Sequence, residues 1–120
     1  MFEDIAKKNN IQYSEIYRIC LNSTLYNPEK IGDPHTDHTY PHKNLLIYLE
    51  ENSSGNTFLF KEQCTDTAGI ISYTDIPKLN LLKEIEYEYR KGVIFNGLNY
   101  HAQGFPKIHQ RRLVIVYTFI

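Results

Sequence analysis

Cysteine is scarce: only Cys20 and Cys64 are present, and neither belongs to a CxxC pair or a Cys/His ladder. That excludes a disulfide scaffold and the common zinc-finger spacings, and it points to a reducing, cytoplasmic setting. No apolar run approaches the ~20 residues a helix needs to span a bilayer. The start, MFEDIAKKNN, also lacks the basic-then-apolar order of a secretory leader. A membrane or secreted chain is therefore not expected. Charge of one sign is missing too, since thirteen basic residues against fourteen acidic ones leave a formal −1. Nothing in that balance draws the chain towards nucleic acid or anionic lipid. There is no nucleophile elbow, no Ser/His/Asp order, no glycine-rich phosphate loop and no internal repeat. Covalent hydrolysis, nucleotide binding and solenoid architecture lose their usual signatures.

What is present is tyrosine and short alternating segments. Ten tyrosines suit half-buried strands, where a ring packs and a hydroxyl reaches water. Residues 2–9 read as a short helix with Phe2, Ile5 and Ala6 on one side. Residues 11–21 alternate as a strand, and 22–43 are rich in Asn, Pro, Gly, Asp and His, so they read as a long loop. LLIYLE is a compact strand with TFLFKE as its hairpin partner or next neighbour. IISYTDI, KEIEYEYR and VIFNG add further strands, HAQGFP reads as turn, and RRLVIVYTFI closes the chain as a strand apolar on both faces. A single domain over residues 1–120 with seven or eight short strands and at most one helix predicts a mainly all-β sandwich, barrel or jelly roll.

Non-haem iron(II) that activates oxygen is commonly held by two histidines and one carboxylate, with the remaining positions open. His35-Thr36-Asp37 supplies an HxD pair, and on an extended segment residues i and i+2 project to one side. His101 follows VIFNG from a distant part of the chain and is the candidate third ligand. His35, His38 and His42 also lie close in sequence, and that trio would suit zinc or nickel without oxygenase chemistry.

The run HTDHTYPHKNLLIYLEENSSGNTFLF, then RKGVIFNGLNYHAQG, then RRLVIVYTFI resembles the 2-oxoglutarate/iron(II) oxygenase superfamily, nearest its prolyl-hydroxylase-like and small phage-type branches. The matching features are the HxD pair, Tyr48-Leu49-Glu50, Gly55-Asn56-Thr57-Phe58, Lys91-Gly92 with Phe95, His101 with Ala102 and Gly104, and Arg112 opening the last strand. Glu50 stands where the family usually has Asn, and Gly55-Asn56 carries one glycine where it often has two. The likeness covers residues 11–120, and relatives usually carry further helices before that point, so the chain is read as N-terminally minimal or truncated. The bare first strand this leaves is expected to be covered by a second copy in a homodimer.

The resemblance implies a double-stranded β-helix, a cupin-like jelly roll with a short N-terminal helix. It implies His35, Asp37 and His101 as Fe(II) ligands, with Arg112 and the Tyr48 hydroxyl holding 2-oxoglutarate. The implied activity is that of a dioxygenase, a hydroxylase using O2 and 2-oxoglutarate and releasing succinate and CO2. Its substrate is not legible: a peptide side chain, a nucleobase and a small metabolite all fit. By pattern alone Tyr48 reads equally well as a core tyrosine. Arg112 is favoured over Arg111 because it shares a strand face with Val114, Val116 and Thr118, which leave room for a ligand. Two other readings use the same fold: a cupin-like metal-binding protein without a 2-oxo acid, and a catalytically inactive binding module.

Overall fold

The computed structural model describes residues 1–64 and 79–120. One helix, α1 (Phe2–Lys8), precedes seven strands: β1 (Ile16–Leu25), β2 (Lys43–Tyr48), β3 (Thr57–Gln63), β4 (Leu81–Ile85), β5 (Gly92–Asn96), β6 (Asn99–Gln103) and β7 (Arg111–Phe119). They form two antiparallel sheets, one ordered β1-β7-β2-β5 and the other β4-β3-β6. The described part of the chain is therefore mostly β.

β7 sets the layering because it pairs with both β1 and β2. Its side chains alternate as a strand must. Arg112, Val114, Val116 and Thr118 are buried on the face turned to the second sheet, while Arg111 is exposed and Leu113 and Ile115 are half-buried on the other. Between the sheets Leu46, Tyr48, Phe95, Val114 and Val116 meet Leu59 and Ile85. Each such buried side chain contributes about 1.5–3 kcal/mol of apolar transfer.

On the outer face Leu45, Ile47, Tyr117 and Phe119 are covered by Phe2 and Ala6 of α1. A seven-residue helix does not persist on propensity alone, so α1 depends on this docking. Phe2 anchors it, its ring centroid lying 4.8 Å from Tyr13, 5.0 Å from Phe119 and 5.3 Å from Tyr117. α1 stops short of β1, whose outward Ile19, Leu21 and Leu25 remain exposed. The first strand is thus bare on that face among the described residues.

Several sequence expectations shift. β1 begins later and runs to Leu25, into the expected loop, because Asn22, Ser23 and Thr24 pair with Val114, Leu113 and Arg112 despite their polarity. β3 does not pair with β2; it lies in the other sheet, between β4 and β6. The alternation of KEIEYEYR outlasts its strand. β4 ends at Ile85, Asn56 Oδ1 accepts the Tyr87 N–H, and Arg90 takes a positive φ of 69° as the chain crosses back to β5. HAQ is not turn but part of β6, paired with β3. The strand expected at IISYTDI lies outside the described residues.

Candidate metal centre

His35 and His101 are joined backbone to backbone. The His35 N–H donates to the His101 carbonyl at 2.9 Å, and the His101 N–H donates to the His35 carbonyl at 3.0 Å. This isolated antiparallel bridge places the two rings side by side, with centroids 4.6 Å apart. Asp37, two residues beyond His35, brings its carboxylate to the same point: Oδ1 is 3.5 Å from His35 Nε2 and Oδ2 is 3.9 Å from His101 Nε2. One ligand atom from each residue lies within 4.8 Å of the others.

Both imidazoles are held in one tautomer. His35 Nδ1 contacts the Asp33 carbonyl at 2.9 Å and His101 Nδ1 contacts the Asn99 carbonyl at 3.2 Å. A carbonyl only accepts, so each Nδ1 carries a proton, and in the neutral ring each Nε2 presents a lone pair towards Asp37, while protonated His35 donates its Nε2–H to that carboxylate. With both rings neutral, two nitrogen lone pairs and a carboxylate facing one another are mutually repulsive, and a proton on His35 or a cation relieves this. Filling the gap with a divalent ion removes the conflict, and tying the second imidazole nitrogen to a carbonyl is the usual support for a metal-binding histidine. Two nitrogens and one carboxylate oxygen form the donor set that suits non-haem iron(II).

The protonation states follow the same geometry. The hydrogen bond to Asp37 raises His35 above its ordinary value, against the opposing effect of burial. Burial pushes the Asp37 carboxyl up, but the His35 hydrogen bond and the charges of His101 and His35 outweigh it and hold it at about 2. His101 is pulled down to about 4, first by burial and then by the charge of His35.

Arg112 enters from β7 on the face that looks between the sheets. It is only 3% exposed, and its Nε and Nη2 donate to the Gly55 carbonyl at 2.9 Å and to Thr57 Oγ1 at 2.8 Å. Thr57 Oγ1 lies in turn 2.6 Å from the Tyr48 hydroxyl. Gly55 has φ +108°, and a Cβ there would sit 2.7 Å from Arg112 Cδ, so glycine both makes the turn and clears the side chain's path. No carboxylate pairs with Arg112 among the described residues. Arg111 differs in every respect: it is exposed and bonded through two nitrogens to Glu50, at 2.8 and 2.9 Å.

His35, Asp37, His101 and Arg112 line one cavity of about 60 Å³, together with Val114 and Val116. It adjoins a polar cleft of about 350 Å³, with which it shares Asn22, His35, Gln103 and Arg112. Tyr48 is fully buried against Tyr87, ring centroids 4.5 Å apart, and meets this system through its hydroxyl, bonded to Thr57, and its ring face, whose centroid lies 5.8 Å from the Arg112 guanidinium carbon. His38 and His42 stand apart from the three. His38 stacks on Tyr40, while buried His42 contacts the Tyr40 carbonyl through Nδ1 and turns Nε2 against Gly97. The His35, His38, His42 trio does not assemble. His109 lies exposed in the loop before β7 with a positive φ of 66°.

Sequence reading missed Asn44 and Thr118. Both are buried polar residues in apolar strands, and Asn44 Nδ2 lies 3.4 Å from Asp37 Oδ2. The available signal was an asparagine opening the apolar run LLIYL.

No family model matches the chain, and no curated protein does. Among solved structures it superimposes on one described as "Non-heme monooxygenase, ThoJ-Ni complex", with a TM-score of 0.55 and 10% sequence identity. The fold is one that a non-heme monooxygenase uses. The match covers 88% of this chain but 43% of that one, so the chain spans less than half the neighbour's length. No described helix is long and apolar enough to cross a membrane.

Substitution of His35, Asp37 or His101 by Ala is expected to abolish stoichiometric binding of Fe(II) or Ni(II) in calorimetry, while His38→Ala and His42→Ala retain it. Equal losses from all five contradict the trio. The pH dependence has a defined sign. Above about pH 4 His101 is already unprotonated and Asp37 ionised, so the proton a metal ion displaces is the one on His35, whose affinity for it is raised. Metal affinity should therefore rise with pH up to the His35 pKa, with one proton released per ion. Calorimetry near about pH 5.5 in buffers of different ionisation enthalpy counts that proton, and a count of two contradicts the assignment.

Proposed function

We propose that the chain is an Fe(II)- and 2-oxoglutarate-dependent oxygenase of double-stranded β-helix type that hydroxylates a C–H bond, with His35, Asp37 and His101 as metal ligands and Arg112 as the anchor of 2-oxoglutarate. The observation that carries this reading is Arg112: a buried guanidinium without a carboxylate partner, lining the same cavity as the His/Asp/His trio. A buried unpaired charge costs several kcal/mol, and a missing anionic partner is the simplest explanation for tolerating one. The successive strands support the fold assignment, since β2 and β3, β4 and β5, β5 and β6, and β6 and β7 each pass from one sheet to the other.

Charge balance favours a dicarboxylate over a simple anion. The cavity's own residues supply one negative charge from Asp37 and one positive charge from Arg112. A divalent ion alone would leave two uncompensated positive charges in a poorly solvated space, and a dianion returns the sum to zero. With iron, 2-oxoglutarate and O2 bound, the balanced outcome is one oxygen atom in the hydroxylated substrate and one in succinate, with CO2 released. The protein's part is positional. Asp37 and the two Nε2 atoms hold one end of the cavity, and Arg112 fixes the distal carboxylate at the other. Thr57 and Gly55 hold the guanidinium, and Thr57 links it to the Tyr48 hydroxyl. Val114 and Val116 keep the space between them apolar.

A guanidinium–carboxylate pair in such a pocket contributes about 1.5–3 kcal/mol. Arg112→Ala is therefore expected to weaken 2-oxoglutarate binding by about tenfold or more while metal binding persists, and Arg111→Ala to change neither. Calorimetry on the metal-loaded protein measures both, and Fe(II)-dependent release of succinate reports turnover. Metal binding without 2-oxoglutarate binding would replace this reading with a cupin-like metal protein. Binding of both without succinate would indicate an inactive module.

A further inference from the structure

Asn44 sits in the row of β2 that faces the metal centre. In the strand register its neighbours are Thr118 on β7 and Phe95 on β5. Asn44 is 0% and Thr118 1% exposed, in a layer that a pair of aliphatic side chains would fill without any polar group to satisfy. Burying an amide and a hydroxyl is costly unless both are bonded, and both are. Thr118 Oγ1 donates to Asn44 Oδ1 at 3.0 Å, and Asn44 Nδ2 donates to Asp37 Oδ2 at 3.4 Å. The direction is determined. A flipped amide would set its oxygen against the Asp37 carboxylate, and the Thr118 hydroxyl, by donating to Oδ1, leaves only the NH2 group for Asp37. Phe95, on the other side, packs edge-on to the His101 ring with centroids 5.0 Å apart at 64°. One row of the first sheet thus touches two of the three candidate ligands.

The Asp37 carboxylate is divided by these contacts. Its Oδ1 faces His35 Nε2 at 3.5 Å, while its Oδ2 lies farther from the other imidazole, 3.9 Å from His101 Nε2, and takes the Asn44 amide. We propose that Asn44, oriented by Thr118, is a positioning residue that occupies Oδ2 and makes Asp37 a one-oxygen metal ligand; this rests on the reading of His35, Asp37 and His101 as ligands. A carboxylate free to rotate takes a metal with both oxygens and uses a coordination position that a bidentate co-substrate needs. The Asn44 contact withholds the second oxygen, and the Thr118 hydroxyl keeps the amide from turning away.

The test is Ni(II) binding to the whole chain, read by calorimetry and by metal-induced infrared difference spectra with 13C-labelled aspartate. The separation of the two carboxylate stretches is wide for one-oxygen and narrow for two-oxygen ligation. Loss of a hydrogen-bonded partner behind a metal ligand typically costs about 10–100-fold in metal affinity. Asn44→Leu is expected to lose affinity on that scale and to narrow the separation. Thr118→Val, close in shape but without the hydroxyl, should move both in the same direction by less, and Thr118→Ser should restore the wild-type separation. Thermal melting of the metal-free proteins identifies any variant that does not fold, and the Thr118→Val and Thr118→Ser pair then decides. Wild-type affinity and separation in Asn44→Leu, or in Thr118→Val, overturn this inference alone. Absence of stoichiometric Ni(II) binding in the wild-type protein overturns the ligand reading and this inference with it.

Discussion

Two reciprocal hydrogen bonds between His35 and His101 hold the rest of the site in place. The segment carrying His35 and Asp37 is not one of the seven strands, and its backbone is secured to β6 by this bridge and to Gly104, the residue after β6, by a second one from Ile31. β6 in turn is paired with β3, whose first residue, Thr57, holds Arg112. A single ladder therefore sets the distance from the His/Asp/His trio to the guanidinium. Two residues enforce its close approaches. Gly55 admits the Arg112 side chain, and Gly104, whose added Cβ would lie 2.9 Å from the Asn56 carbonyl, admits the turn before β3. The precision a metal centre needs comes from paired backbone, with side-chain bonds refining it.

Electrostatics then divides the cavity into two ends. Asp37 stays ionised because neighbouring imidazoles outweigh the cost of its burial, and Arg112 stays buried with a carbonyl and a hydroxyl as its partners. Neither group is paired with the other. An ion pair between them would have closed the cavity and stabilised the empty fold. Their separation gives up that stability and leaves a dipolar slot, negative at the ligands and positive at Arg112, which suits a dication followed by a dianion. In this account each ion strengthens the binding of the other, since each bound alone leaves charge uncompensated.

How much of this was legible in the sequence depends on the kind of contact. Strands β2, β3 and β7 carry apolar runs that announce themselves, and alternation along β7, read with the smaller residues beside Arg112 and the family pattern, separates Arg112 from Arg111. β1 was harder because Asn22, Ser23 and Thr24 are held by pairing with β7, which composition does not record. β6 was obscured by the Gly104 and Pro106 that follow it, and β4 by an alternation that continues past its end. The four residues His35, Asp37, His101 and Arg112 stood out through the family resemblance, with the HxD pair and strand alternation beside it, and they line one cavity. Asn44 and Thr118 were not, because their link to Asp37 exists only in the register between β2 and β7. A polar pair across two strands has no sequence spacing to betray it.

The central claim is that one cavity holds a metal at one end and the distal carboxylate of a five-carbon 2-oxo acid at the other. Its most direct test is a chain-length series on the metal-loaded protein under anaerobic conditions, comparing pyruvate, 2-oxoglutarate and 2-oxoadipate by calorimetry. All three offer the same 2-oxo acid group to the metal, and they differ in whether, and how far away, they carry a second carboxylate for Arg112. The account predicts tightest binding for 2-oxoglutarate, with pyruvate weaker by about tenfold or more because it lacks the second carboxylate. Equal affinities across the series would show that Arg112 takes no part in binding and would contradict the account.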